Sequence, residues 1–188
     1  MGVKEIIGNA WKVASFDDKT TDAVLKDSSS FKNGLIFLVL TAVVMSVGVG
    51  IFAIISGSFV LAIVEIIATI LMLLFGFFVG GAVLHGLAHL FKGKGSITRF
   101  YGGYSHSYLP YWIGFFGFIP LLGLGLWVLA GLWHLILTIN VVQKAYDLSL
   151  GRALIVVLIP VVIVGILILS MGVALLALFF AGTATGVA

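Results

Sequence analysis

Four histidines, one isolated acid and a ladder of tyrosines are the residues whose chemistry could matter in this chain. His85 and His89 stand at i and i+4 in Leu84-His85-Gly86-Leu87-Ala88-His89-Leu90. On a helix that spacing puts both imidazoles on one face. Imidazole suits Zn, Cu and Ni, so His85 and His89 form a weak candidate for a metal site. The zincin motif is absent, because it needs Glu directly after the first His and Gly86 stands there. His106 and His134 complete the set. Tyr101, Tyr104, Tyr108 and Tyr111 recur every three to four residues. Together with Glu65 and Asn140 these groups could line an intramembrane path for a cation, a proton or an amine. Ring faces attract cations, and ionisable groups at membrane depth often mark such paths. The bland alternative is an aromatic belt with ordinary interhelical hydrogen bonds. Glu65 and His85 lie about 30 Å apart along one helix and are not expected to share a site.

Other chemistry is excluded or unsupported. The chain has no Cys, which rules out disulfides and thiolate metal sites. Gly93-Lys94-Gly95 lacks the spacing of a phosphate loop. No Ser–His–Asp or paired-carboxylate set is visible. No catalytic residue and no cofactor are expected, and an intramembrane metal-dependent enzyme is the weakest reading.

The elements that must position these groups follow from composition. Of 188 residues, 62% are hydrophobic and 9% charged, against about 25% charged in a soluble domain. So little charge cannot cover a water-facing surface. Thirteen of the charges fall before Gly34 or within Lys92–Arg99, and the rest are Glu65, Lys144, Asp147 and Arg152. A helix needs about 20 apolar residues to cross the hydrocarbon. The charge-free runs therefore predict five transmembrane helices near 35–55, 59–91, 104–119, 124–145 and 153–180. The first break is at Ser56-Gly57-Ser58. The long run from Phe100 to Gln143 is broken at Pro120 and Gly123. Pro110 is expected to kink the third helix. The fold class is all-α integral membrane protein, with an arm over residues 1–32 and one five-helix domain over 33–188.

Orientation follows from Lys and Arg. All ten lie in the N-terminal arm, the second loop (Lys92, Lys94, Arg99) or the fourth (Lys144, Arg152). The positive-inside rule then puts the N-terminus in the cytoplasm and the C-terminus outside. Residues 3–14 place Ile6, Ile7, Ala10 and Ala14 on one helical face, which reads as a short amphipathic helix in the headgroup plane with Trp11 as its anchor. Packing on the ends of the spans is the alternative. The first thirty residues lack the apolar core of a signal peptide. Gly76-x-x-x-Gly80 offers a face for close helix approach, with a partner helix expected in the same chain and a second copy as the alternative. The expected partners are the bilayer, anionic headgroups drawn to the basic loops, and a protein the sequence does not identify. Nucleic acid is not expected.

Three stretches carry a family resemblance. They are Leu84–Ser96, Gly131–Leu137 running on to Asp147–Leu154, and Tyr108-Leu109-Pro110 followed by Ile119–Gly123. In their order along the chain, over about residues 30–180, these stretches resemble the Yip-type membrane domain family. That resemblance implies five spans and a cytoplasmic N-terminus. Eukaryotic members are linked to Rab-type small GTPases, vesicle traffic and membrane shaping. The Asp-Leu-Tyr-Gly-Pro and Gly-Tyr-Gly motifs of those members are missing, and the short arm is similar to the bacterial and archaeal branch. The expected role is non-enzymatic organisation of membrane or partners through Trp11, Lys92, Lys94, Arg99, Lys144 and Arg152. The expected location is the plasma membrane, or an endomembrane in a eukaryote. The rival role is a small-solute transporter or channel using His85, His89, His106, His134, the tyrosines, Glu65 and Asn140.

Overall fold

A computed structural model describes residues 1–119 and 121–184, with side chains described outside 176–184. Among these residues there are seven α-helices, one 3-10 helix and no strand. The helices are α1 (Val3–Ala14), α2 (Asp18–Lys26), α3 (Ser30–Ile55), α4 (Phe59–Leu90), α5 (Ile97–His106), α6 (Leu122–Tyr146) and α7 (Leu150–Ala184). The 3-10 helix covers Leu109–Phe118, between α5 and α6. Four helices, α3, α4, α6 and α7, are long and apolar enough to cross a membrane. Backbone groups in hydrocarbon must be bonded internally, which is why these runs are helical. The expected break at Pro120 lies outside the described residues.

The termini of the long helices are set locally. The Ser58 hydroxyl accepts from Leu61 N at 3.2 Å and caps α4. Gly57, at φ 89°, makes the turn between α3 and α4. The far end of α4 closes with Gly93 N donating to Ala88 O at 2.8 Å and Lys92 N to His89 O at 2.9 Å. That paired pattern needs a left-handed residue at its centre, and Lys92 supplies it at φ 67°. The same device ends α1, where Asp17 N reaches Lys12 O and Phe16 N reaches Val13 O. Phe16 sits there at φ 61°, where glycine would be free of strain. We expect Phe16→Gly to raise stability by about 1 kcal/mol, read as a higher thermal midpoint in detergent.

The third crossing expected from the sequence, one kinked helix over 104–119, is not what forms. The chain is α-helical from Ile97 to His106, turns at Ser107-Tyr108, and continues as a 3-10 helix. Pro110 explains the change. An α-helix through it would press the ring on the His106 carbonyl and lose one backbone bond. Serines beside the break bond backward instead. Ser105 Oγ donates to Gly102 O at 2.8 Å and Ser107 Oγ to Tyr104 O at 2.7 Å. The helix also begins earlier than expected, because the Ser96 hydroxyl caps it by accepting from Arg99 N.

This broken segment is the centre of the molecule. Every residue from Phe100 to Pro110 is buried. It lies against α3, which also touches α4 and α1. Close approach to α3 depends on small residues. A Cβ on Gly34 would strike Ser105, and one on Gly48 would lie 2.8 Å from Phe115 Cα. At the Gly76-x-x-x-Gly80 face, only the Gly80 end meets a helix of the same chain, α5. Gly76 meets nothing within 4 Å, while Gly80 faces the Tyr104 hydroxyl and Gly81 takes the Tyr101 ring.

The arm is folded onto the bundle. The inner face of α1, Ile6, Ala10 and Ala14, is buried with Phe37, Leu109 and Leu137. Trp133 Nε1 donates to Ala14 O at 3.0 Å. The apolar face of α1 is thus occupied by protein, which departs from the expected seat in the headgroup plane. Trp11, 65% exposed, points away together with Val3 at 51% and the charged residues of the helix. Helix α2 is capped by Asp17, whose carboxylate accepts from Thr20 N at 2.6 Å. The hydrogen bonds with Thr20 hold that carboxyl below its ordinary value of 3.8, and those with Ser29 do the same for Asp27. A carboxyl depressed in the folded state contributes stability above its unfolded value, and that contribution is lost as pH falls through the folded value. Acidification below about pH 4 should therefore loosen α2 before the bundle, seen as earlier loss of amide-exchange protection over Asp18–Lys26.

Candidate functional site

The histidines and tyrosines sort into two clusters and one outlier. The first cluster is at mid-depth. His134 lies twelve residues before the end of α6, about 18 Å along its axis. Its ring stands against Tyr108 with centroids 4.4 Å apart, against Tyr111 at 5.1 Å and against Tyr104 at 5.8 Å. His134 Nδ1 lies 2.9 Å from the Ser107 carbonyl. That carbonyl is one the Pro110 break deprives of a helical partner, so the imidazole completes the backbone where the helix fails. The Ser107 hydroxyl is 3.2 Å from the same nitrogen. Thr138, one turn on, donates to the His134 carbonyl at 2.8 Å. Tyr108 Oη donates to Tyr104 Oη at 3.2 Å. Phe77 of α4 stacks on the Tyr104 ring at 5.3 Å and meets Tyr108 edge-on.

The second cluster lies at the end of α4. His85 and His89 stand edge to face with centroids 4.5 Å apart. His85 Nδ1 is 2.6 Å from Tyr146 Oη. Tyr146 is fully buried and also packs on Phe100. The loop after α4 is latched to the same residue, with Lys94 N donating to Tyr146 O at 3.0 Å. Among the described residues no group of three or more His, Cys, Asp or Glu converges to hold a metal ion. Phe100 stands between the two clusters, stacked on Tyr104 at 5.0 Å. It carries no hydroxyl, so the aromatic column is continuous while its hydrogen-bonding groups are not.

His106 belongs to neither cluster. Two residues beyond Tyr104, it points to the opposite side of α5, stacks on Phe37 at 5.5 Å and bonds the Gly102 carbonyl at 2.7 Å. Trp112 also stacks on Phe37, at 5.7 Å, and donates to Thr41 Oγ1 at 2.8 Å. Glu65 is half-buried in the first turns of α4, far from both clusters. Asn140 is half-buried on α6. Neither makes a side-chain hydrogen bond or ion pair among the described residues.

The basic residues gather at the end of the bundle that carries the arm. Lys144 Nζ bonds Asp18 Oδ1 at 2.9 Å and Asp22 Oδ1 at 3.0 Å, tying α2 to the end of α6. Arg99 lines a cavity of about 370 Å³ with Lys26, Asp27 and Phe31. Lys92, Lys94 and Arg152 are exposed. The acids Asp18 and Asp22 were not singled out from the sequence, although their i, i+4 spacing marks one face of α2. Tyr146 was missed as well, and nothing in its local sequence announces the His85 partner.

The family model described as Yip1 domain matches residues 16–172. The chain belongs to the Yip1 domain family. No curated protein and no solved structure matches it. The Yip1 domain match takes in both clusters and the basic loops. It begins after α1, so the helix whose inner face packs on Phe37 and Leu109 lies outside the matched region. The chain is a multi-pass membrane protein of this family.

Proposed function

We propose that this Yip1 domain protein crosses the bilayer five times and organises lipid or a protein partner from its charged end, without catalysing a reaction. The arm (residues 1–32) and the helical domain (residues 33–188) act there as one platform. Support for the fifth crossing comes from direction. The end of α4 and the end of α6 are joined by the Lys94–Tyr146 backbone bond. The chain between them must therefore travel to the far end and return through α6. Ten α-helical and ten 3-10 residues reach about 35 Å, enough for the outward leg. All ten Lys and Arg then fall on one side, which the positive-inside rule assigns to the cytoplasm. The C-terminal end is outside, and the membrane is the plasma membrane in a prokaryotic cell or an endomembrane in a eukaryotic one.

One observation carries the organising role. Lys144 clasps Asp18 and Asp22 while Ile6 and Ala10 pack inward. The arm is thereby fixed beside Lys92, Lys94 and Arg152, leaving Trp11 outward. The transport reading is less favoured, because Phe100 interrupts the hydrogen-bonding groups between mid-depth and the charged end.

The absence of Cys makes topology directly testable. Single substitutions Ser28→Cys and Ser149→Cys should react with an impermeant maleimide from the cytoplasmic side, and Ser58→Cys from the other. Reaction of Ser149→Cys from the side of Ser58→Cys, opposite Ser28→Cys, would overturn the five-crossing reading. For the platform, the triple variant Lys92→Gln, Lys94→Gln, Arg152→Gln should retain at least about tenfold less anionic lipid through purification, at about 1 kcal/mol per charge. Trp11→Ala should weaken capture of partners by the intact protein. Point variants are preferable to deleting the arm, because deletion would uncover Phe37, Leu109 and Leu137. Unchanged lipid retention together with unchanged capture would sink the organising role.

A further inference from the structure

A crevice of about 310 Å³ opens beside His134. It is walled by Gly80 and Leu84 of α4, by Leu135 and Thr138 of α6, and by Val157, Pro160, Val161 and Val164 of α7, with Tyr104 and His134 at its base. The wall is almost wholly apolar, and Val161 and Val164 stay largely exposed toward the surrounding lipid. Two hydrogen-bonding capacities at the base are unused, the lone pair of His134 Nε2 and the hydroxyl hydrogen of Tyr104. His134 Nδ1 faces the Ser107 carbonyl, which can only accept, so the ring proton is on Nδ1. In the neutral ring Nε2 is then an acceptor. Its one neighbour, Thr138 Oγ1 at 3.5 Å, already spends its hydrogen on the His134 carbonyl. Tyr104 Oη accepts from Tyr108, and its own hydrogen has no acceptor among the described residues. A free donor and a free acceptor thus meet one apolar crevice at a depth where bulk water is absent.

One small group satisfies both: a hydroxyl, which accepts from Tyr104 and donates to His134. The crevice also dictates the body attached to it. Residues 157, 160, 161 and 164 form a single stripe running about 10 Å along α7, and Gly80 and Leu84 form a parallel stripe on α4. An apolar slot walled by α4, α6 and α7 and running about 10 Å along α7 suits a linear chain. We propose that this crevice binds a long-chain alcohol, with its hydroxyl between Tyr104 Oη and His134 Nε2 and its chain leaving along α7 into the bilayer. Gly80 keeps the base accessible, because a Cβ there would stand 3.5 Å from Tyr104 Oη in ordinary contact and cover the hydroxyl.

The test uses the full chain in lipid nanodiscs and a diazirine-bearing hexadecanol, with its methyl ether and a diazirine-bearing sterol as comparison probes. The alcohol should label the peptides of α4, α6 and α7 that wall the crevice. The ether, which cannot donate, should label them about tenfold less, as expected for one lost hydrogen bond. Gly80→Ala should cut labelling by the alcohol by about the same factor at a thermal midpoint no lower than that of wild type, and Tyr104→Phe should cut it as far while lowering the midpoint, because Tyr108 Oη loses its acceptor. Equal labelling by alcohol and ether would overturn the proposal. So would preference for the sterol, or a Tyr104→Phe variant that labels like wild type.

Discussion

Gly95→Ala should lower the stability of the bundle by about 3 kcal/mol, among the largest effects of any single methyl group in the chain. A Cβ at Gly95 would overlap the Ala145 carbonyl oxygen and stand 2.8 Å from both the Ala145 carbonyl carbon and Tyr146 Cδ1. Backbone cannot rotate aside as a side chain can, so the loop after α4 would have to lift. Lifting it breaks the Lys94–Tyr146 bond and disturbs the burial of Tyr146, on which His85, His89 and Phe100 converge. The control is Gly86→Ala, where an added Cβ meets nothing within 4 Å. That variant should match or slightly exceed wild type, since alanine favours the helix by up to about 1 kcal/mol. Thermal unfolding in detergent reads both, and a midpoint for Gly95→Ala equal to that of Gly86→Ala would refute the latch.

His134→Leu should cost about 2–3 kcal/mol, although leucine is the more apolar residue and the site is at mid-depth. The Ser107 carbonyl sits beside the helix break and takes its hydrogen bond from this ring. Leucine leaves that carbonyl unpaired where no water can replace the lost donor. His134→Gln keeps an N–H on a side chain of similar reach and should recover part of the loss. If leucine proved neutral, the imidazole would have no part in holding the break together. His106→Leu provides a comparison on the other side of α5. There the Gly102 carbonyl lies within a continuous helix and also accepts from Ser105 Oγ, so a smaller loss is expected.

The long helices were legible because hydrocarbon imposes a simple demand. The charge-free runs place the second span at 59–91 and the fourth at 124–145, and the helices are Phe59–Leu90 and Leu122–Tyr146. Lipid needs only length and apolarity, and both are written locally. The segment between α4 and α6 was not legible in detail, because α and 3-10 geometry share nearly the same apolar composition. Its early start at Ile97 was hidden by Arg99, whose charge reads as loop. The tyrosine ladder was visible from its spacing, and the separation of His106 from it follows from a rotation of about 200° beyond Tyr104. What spacing alone did not give was the register between helices. Tyr108 meets His134, and His85 meets Tyr146, only because α5 and α4 pack on α6 at one particular height.

The unequal lengths of the helices have a consequence for the membrane itself. Helices α3 and α6 reach about 39 and 38 Å, whereas α4 reaches about 48 Å and α7 about 52 Å. The two long helices touch each other and share the crevice beside His134, so they stand side by side. The protein therefore presents a taller apolar perimeter on one side than on the other. Lipids around it must tilt, stretch or thin by different amounts along its circumference, at fractions of a kcal/mol for each ångström. A flat, uniform bilayer cannot meet such a rim without deformation, and a step or gradient in thickness relieves the mismatch. Membrane borders of that kind are where this molecule would come to rest with no partner holding it there.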